Sequence, residues 1–316
     1  MNSKIKLIQK YLKKNNFKFY LFTNSDMHLN ESPNLNQKDI FILTGFDCSH
    51  GYLLIMTDKI VFFTDSRYSL AANKFFSKQT LVYDINKLRI SEYLKSIGSN
   101  YKGLIDPNLF SLKDFKLLSK DISTNNIKII PFYKKIIAKN YYPKFDKSYP
   151  FSLPLKYIPR PFTKNIEWIK KKLTSQGFII WNNAHIAYLL NIRSFELHNS
   201  TKPFAGLFIS NQTKKPVLIS NNKNLKNLKK IQNSFYLFSK NKFINFIKRK
   251  KINLIELDFK YSNVDIYLSL LKISKIRNSS INIDKFISKK TKTEFQNISF
   301  CHEEDGLALT RFIIKI

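Results

Sequence analysis

The sequence predicts an α/β protein of two similar domains in tandem, each a mixed sheet of about six strands flanked by helices. Three observations lead there. Short apolar runs alternate with helix-periodic segments along most of the 316 residues, a length that suits two domains. Residues 140–162 hold five prolines, which fix φ and remove donors, so this stretch reads as an extended linker. The order of runs before the linker then returns in outline after it, which suggests duplication. The expected organisation is a first domain at 1–139, the linker at 140–162, a second domain at 163–288 and a terminal helix at 289–316.

Residues 4–15 alternate Lys with Ile and Leu at helical spacing. Lys18 to Phe22 reads as a strand. Tyr52 to Met56 and Ile60 to Phe63 are apolar runs joined by Thr57-Asp58-Lys59, a three-residue hairpin signal. Neither run alternates cleanly, so both should be buried on both faces. Thr64 or Asp65 should cap the helix that follows, SRYSLAANKFF, with Leu70, Ala71 and Phe75 on one face. Further strands are expected at Thr80 to Tyr83, Gly103 to Ile105 and Ile127 to Ile130. Helices near 88–97 and 111–120 separate them, the second N-capped by Ser111.

After the linker, residues 164–175 form an amphipathic helix with Ile166, Ile169 and Leu173 inward. Gly177 to Trp181 is a strand, and Ala184 to Leu190 a helix or tight turn. Strands follow at Leu207 to Ser210, Pro216 to Ser220, Phe235 to Phe238 and Asn253 to Leu257, with helices near 223–231, 241–249 and 263–273. Thr291 and Glu294 then offer a capping box for a last helix carrying Phe295, Ile298, Leu309, Phe312, Ile313 and Ile316. Its apolar stripe needs a partner, because packing supplies most helical stability. The chain is therefore expected to stop where another domain would begin.

With 43% hydrophobic and 15% aromatic residues, the chain can bury substantial cores. No apolar run reaches membrane-spanning length, and the N-terminus lacks a secretory cleavage site. Only Cys48 and Cys301 are present, which excludes a disulfide scaffold or a cysteine zinc site. Both read as small buried hydrophobes in a reducing cytoplasm. The net charge of +32 invites a nucleic-acid partner, yet it rests on 47 Lys against 7 Arg, beside 32 Asn. That is the mark of drift toward A/T-rich codons, since Arg is the residue that forks onto phosphates and guanine edges. The densest cluster, Lys248 to Lys251, reads as a solvated loop. No specific nucleic-acid partner and no membrane partner are expected, only weak salt-sensitive adhesion to polyanions.

Phosphate-cradling glycine loops, a Gly-x-Ser-x-Gly elbow and a His-Glu-x-x-His are all absent from the sequence. In Cys301-His302-Glu303-Glu304-Asp305 only His302 and Asp305 share a helical face, so the run reads as solvated rather than metal-binding. Ser49-His50 lacks a third orienting group and reads as a loop.

One set of motifs goes further. Phe41-Ile42-Leu43-Thr44-Gly45-Phe46, then Ser49-His50-Gly51, then Phe63-Thr64-Asp65-Ser66-Arg67-Tyr68 with Ala71-Ala72, resembles the N-terminal domain of Xaa-Pro aminopeptidases, in the creatinase/prolidase-like family. Ile105-Asp106-Pro107-Asn108 with Ser111 resembles that family's Ile-Asp-Pro strand end. Ala187 to Arg193 is similar to the Ala-Trp-Leu-Leu-Asn-Ile-Arg of its second domain. Lys290, Glu294, His302, Asp305-Gly306 and Arg311-Phe312 resemble the long helix that opens its third, catalytic domain.

The resemblance implies two creatinase-N-terminal-like domains plus the first helix of a missing "pita-bread" domain. In the family, two Asp, one His and two Glu of that third domain hold two divalent ions, usually manganese. The ions activate the water that hydrolyses the N-terminal Xaa-Pro bond of proline-containing peptides. Those five ligands have no room after Ile316. The expectation is therefore the non-catalytic part of an Xaa-Pro aminopeptidase, truncated and inactive alone, with no catalytic residue, metal ligand or cofactor of its own. Its partner would be a separately encoded catalytic domain, met through Leu309, Phe312 and Ile316, or a second copy.

Arg67, Tyr68, Arg193 and His198 are the residues that the resemblance points to for a substrate entrance. Residue by residue, Arg67 also reads as a charge pair with Asp65 at a helix start. The loop Ser194 to Ser200 departs from the family's Gly-x-Asp-x-Pro-x-Asn-Pro: Glu196 stands for the Asp and His198-Asn199 for the later pair, but both prolines are gone. The alternative reading is a stand-alone oligomerisation or peptide-binding module without enzymatic activity.

Overall fold

Lysines on the outward positions of α1 (Ser3–Lys14) leave Ile5, Ile8 and Leu12 to form its buried stripe. This helix opens a computed structural model that describes residues 3–76, 80–133, 136 and 149–316. The first domain continues with β1 (Phe19–Thr23), α2 (Asp39–Thr44), β2 (Gly51–Met56), β3 (Ile60–Thr64), α3 (Ser66–Phe75) and β4 (Thr80–Asp84). It closes with α4 (Ile90–Ser96), β5 (Lys102–Ile105), α5 (Leu112–Ser123) and β6 (Lys128–Pro131). These strands make a six-stranded sheet in the order β4-β3-β2-β1-β5-β6. The β1–β2 and β2–β3 pairs are antiparallel and the other three parallel.

Both sheet faces are covered, which is why β2 and β3 show no polar alternation. Tyr20, Phe22, Leu53, Ile55 and Phe62 face one core with Ile8 and Leu12. Phe19, Leu21, Leu54, Val61 and Phe63 face the other with Ile105 and Leu109. Gly103 permits this packing. A Cβ there would lie 2.1 Å from the buried Phe19 ring, so only glycine lets β5 pass beneath it.

The second domain comprises β7 (Phe151–Ser152), α6 (Phe162–Lys172), β8 (Gly177–Ile180), α7 (Asn183–Leu190), β9 (Ile192–Arg193), β10 (Gly206–Ile209) and β11 (Val217–Ile219). It continues through α8 (Lys229–Ser234), β12 (Tyr236–Phe238), α9 (Lys240–Arg249), β13 (Leu254–Leu257), α10 (Val264–Leu271), β14 (Lys275–Asn278) and α11 (Ile283–Ser288). Its sheet runs β12-β11-β10-β8-β13-β14. Here too the two pairs around the first antiparallel hairpin are antiparallel and the outer three parallel. The two sheets thus share one topology, and the predicted pair of mixed six-stranded sheets is present. β7 and β9 pair separately as a short ribbon.

The last element, α12 (Lys292–Lys315), starts with the expected capping box: Thr291 and Glu294 each accept from the other's backbone N–H. None of its residues is buried.

Several local expectations are corrected. The stripe that α3 and its C-cap residue turn toward the sheet is Tyr68, Ala72 and Phe76, whereas Leu70 and Phe75 are exposed. Tyr68, Ala72 and Phe76 lie four apart on one helical line, and the small Ala72 lets α3 approach the strands. Cys301 is exposed on α12, while Cys48 is buried as expected. β14, α2 and α11 are additional elements. β14 carries one apolar residue, Ile276, between charged neighbours, the usual dress of an edge strand. The helix expected at 223–231 is a 3₁₀ turn at Lys223–Asn227 followed by α8. Lys248 and Arg249 belong to the last turn of α9, where cations complement the carbonyl end, rather than to a loop. Linker residues 140–148 lie outside the described residues.

Candidate functional site

The two domains meet along the segment that leaves β1. Asp26 folds this segment back: its carboxylate accepts from the backbone N–H of His28 (2.8 Å) and Asn30 (3.1 Å) and from Asn30 Nδ2 (2.9 Å). The turn presents His28 to the second domain. His28 Nδ1 donates to the Trp181 carbonyl at 2.9 Å, and Trp181 Nε1 donates to the Met27 carbonyl at 2.7 Å. The imidazole stacks on Trp181 (4.6 Å between centroids) and meets Phe204 edge-on (4.4 Å). Burial pushes its pKa down to about 4, so the ring is neutral at pH 7.

Asparagines extend the junction. Asn30 Nδ2 donates to Asn183 Oδ1 at 2.8 Å. Asn34 donates to the Glu196 carbonyl at 3.1 Å and accepts from the His198 backbone N–H at 2.8 Å. On the far side, Asn263 Nδ2 donates to the carbonyls of Met27 (2.7 Å) and Asn108 (3.1 Å), while its Oδ1 caps α10 through the Ile266 N–H (2.8 Å).

Beside this junction lies a cleft of about 870 Å³. The 30–38 segment and Asp47 form one wall, and residues 197–202 form the other. Its charged lining is mixed. Glu31, Lys38 and Asp47 face His198 and Lys202, and Lys38 pairs with Asp47 at 2.6 Å. The second wall is held from behind by Glu196, a buried carboxylate that accepts from Ser194 Oγ (2.9 Å), the Phe204 N–H and Asn222 Nδ2. Such a surface can take a polar, flexible ligand by hydrogen bonds; it gathers no acid–base pair aimed at one point.

His198 is thus in the cleft wall. Arg67 and Tyr68 lie beside the segment that carries Asp47. Asp65 N-caps α3 by accepting from the Arg67 N–H (3.0 Å), and it pairs with the guanidinium at 2.7 Å. The hydrogen bond raises the Arg67 pKa and lowers that of Asp65; Arg67 also feels the charge of Glu31 on the cleft wall. Tyr68 donates its hydroxyl to Ser49 Oγ at 3.1 Å.

Arg193 sits elsewhere, donating to the carbonyls of Ala187 (2.9 Å) and Ile192 (3.0 Å) at the end of α7. Lys230 donates to the carbonyls of Leu190 and Asn191 at the same helix end. Burial, with the nearby Arg193 charge, pushes the Lys230 pKa down to about 8. Leu309 and Phe312 on α12, and Ile316 just after it, are all more than half exposed.

Asn30, Asn34, Asn183 and Asn263 escaped sequence reasoning, because 32 asparagines hide the few that bridge domains. His28 and Trp181 are 153 residues apart and carry no joint signal. Among the described residues, no three His, Cys, Asp or Glu side chains gather to hold a metal ion. The described donor set therefore does not fit a two-ion centre, and among the described residues no helix is long and apolar enough to cross a membrane.

Comparison with known proteins agrees with this architecture. Residues 4–137 match the Creatinase/Prolidase N-terminal domain family. The chain is 24% identical over 210 residues to a probable Xaa-Pro aminopeptidase P of Laccaria bicolor, covering 63% of this chain and 32% of that protein. It is 23% identical to Xaa-Pro aminopeptidase 1 of Dictyostelium discoideum, covering 99% of this chain and 53% of that one. The crystal structure of the Caenorhabditis elegans X-prolyl aminopeptidase, a cytosolic enzyme with a di-nuclear active site, superposes with a TM-score of 0.81. That match spans 94% of this chain and 51% of the enzyme at 15% identity. The chain therefore spans between a third and about half the length of these relatives. Residues 4–137 are thus similar to a creatinase/prolidase N-terminal domain, the second sheet repeats the topology of the first, and the whole chain has the fold of the matching part of the X-prolyl aminopeptidase structure.

Proposed function

We propose that these 316 residues are the leading, non-catalytic two-domain part of an Xaa-Pro aminopeptidase and do not hydrolyse peptides alone. The alignment of 99% of the chain with 53% of a named Xaa-Pro aminopeptidase, together with the match of residues 4–137 to an N-terminal domain family, supports this reading. In that enzyme class, divalent ions, usually manganese, supply an activated water for cleavage of the N-terminal Xaa-Pro bond. The donor set here does not fit such ions, so no step is assigned to this chain. Its part is architectural. The domain junction fixes the cleft that carries His198, with Arg67 and Tyr68 beside it, as one side of the route by which a proline-containing peptide enters. α12 begins the catalytic domain and packs Leu309, Phe312 and Ile316 against it, in the cytoplasm.

An Xaa-Pro peptidase assay of the purified 316-residue chain with added Mn²⁺ tests the proposal. No turnover above the metal-only blank is expected. Turnover that rises with protein concentration and is abolished by a chelator overturns it. One observation favours a second reading, a stand-alone oligomerisation or peptide-binding module: the apolar stripe of α12 is exposed. That reading requires a defined oligomer that binds proline-containing peptides without metal.

A further inference from the structure

A groove of about 630 Å³ lies between α6 and α11, on the second domain and apart from the junction cleft. Lys171, Lys172, Lys285 and Lys289 line it, and Trp168 and Phe286 form its aromatic floor. Lysine is common throughout this chain, so the count alone says little. The setting says more. The groove lining contains no carboxylate, and among the described residues none of the four lysines forms an ion pair. Carboxylates on the flanking elements are engaged elsewhere: Glu167 with Lys164 (3.4 Å), Asp284 with His185 (2.7 Å) and Glu256 with Arg277 (2.6 Å). Four like charges thus converge on a partly apolar concavity without internal neutralisation, and an acidic ligand relieves their repulsion.

The floor discriminates between acidic ligands. Trp168 lies parallel to Phe286 with centroids 4.0 Å apart, and Lys172 sits over the Trp168 ring. Arg160 sits over Phe286 at 4.7 Å. Both ring systems are already engaged, so a nucleobase has no open platform on which to stack. No arginine lines the groove, and phosphate loses the forked recognition that Arg provides. What remains are mobile point charges above apolar ring edges. That arrangement suits carboxylates spaced along a peptide, with an aliphatic or aromatic side chain between them.

We propose that the α6–α11 groove is a docking site for an acidic polypeptide segment that carries an apolar anchor residue. The probe is a fluorescein-labelled decapeptide of Glu interspersed with Leu and Phe, titrated into the intact chain at low salt and followed by anisotropy. Lys171→Glu, Lys285→Glu and Lys289→Glu together are expected to weaken binding by about tenfold or more. A charge-matched control on α9 and the turn after it, Lys248→Glu, Lys250→Glu and Lys251→Glu, is expected to change binding less than about threefold. The single variant Lys285→Gln, checked by circular dichroism, gives a smaller loss in the same direction and guards against misfolding of the triple variant. Absence of peptide binding overturns the proposal, as does equal weakening by both triple variants, which marks a diffuse field. Displacement of the peptide by single-stranded oligo-thymidylate more readily than by unlabelled peptide also overturns it, and assigns the groove to nucleic acid.

Discussion

His28 is held neutral because its ring is enclosed by Trp181 and Phe204. Its folded pKa is about 4, against about 6.5 in the unfolded chain. Between those values the unfolded chain takes a proton that the folded chain refuses. The stability due to the neutral ring is complete above pH 6.5 and is lost as the pH falls toward 4. Of the stability lost between pH 7 and pH 5.5, about 1 kcal/mol should come from this residue. Urea unfolding at both pH values should show that increment in the parent chain and not in His28→Phe. An unchanged pH dependence in the variant would refute the assignment. Sequence offered no hint of this, because a histidine's burial depends on residues 150 or more positions away. Arg67 is the opposite case. Asp65-Ser66-Arg67 places a carboxylate at a helix start with its cation two residues on, and local spacing alone predicted both the cap and the pair.

At the scale of elements, strands with long apolar runs were legible and short charged ones were not. β2 and β3 declare themselves by burial on both faces, whereas β14 is set by its neighbour β13. α12 was legible from its capping box and periodic stripe, although its exposure concerns what lies against it rather than its own sequence. That exposure has a measurable result. Leu309→Ser with Phe312→Ser should change the unfolding free energy by less than about 0.5 kcal/mol. Leu189→Ala, in the core of the second domain, should cost about 2–5 kcal/mol. Equal losses in the two variants would mean that α12 packs on the core.

For the whole molecule, a few side-chain hydrogen bonds tie the two domains beside four backbone bonds, in which the N–H groups of Leu112, Lys113, Val264 and Asp265 donate to the carbonyls of Ser262, Phe259, Phe110 and Pro107. Asn263 ties the first domain's Met27 and Asn108 carbonyls to the start of α10. Asn263→Ala removes a helix cap and strands two carbonyls at a buried junction, so a loss of about 2–4 kcal/mol is expected. Calorimetry should show a lower melting temperature and a broader, less cooperative transition; an unaltered melt would mean that the junction contributes little. The tandem arrangement was readable because the series of apolar runs and helix-periodic segments before the Pro-rich stretch recurs in outline after it. The relation between the domains was not, because it is written in single asparagines and backbone groups.

That economy has an evolutionary consequence. The acceptors at the junction are mostly main-chain oxygens: those of Met27, Trp181, Asn108 and Glu196. No substitution at those four positions can delete a carbonyl. Among the side-chain donors, Asn30, Asn34 and Asn263 are asparagine, one of the residue types that A/T-rich codons supply most freely. A lineage whose composition slides toward Lys and Asn can therefore rewrite much of its surface and still keep its two halves locked in register.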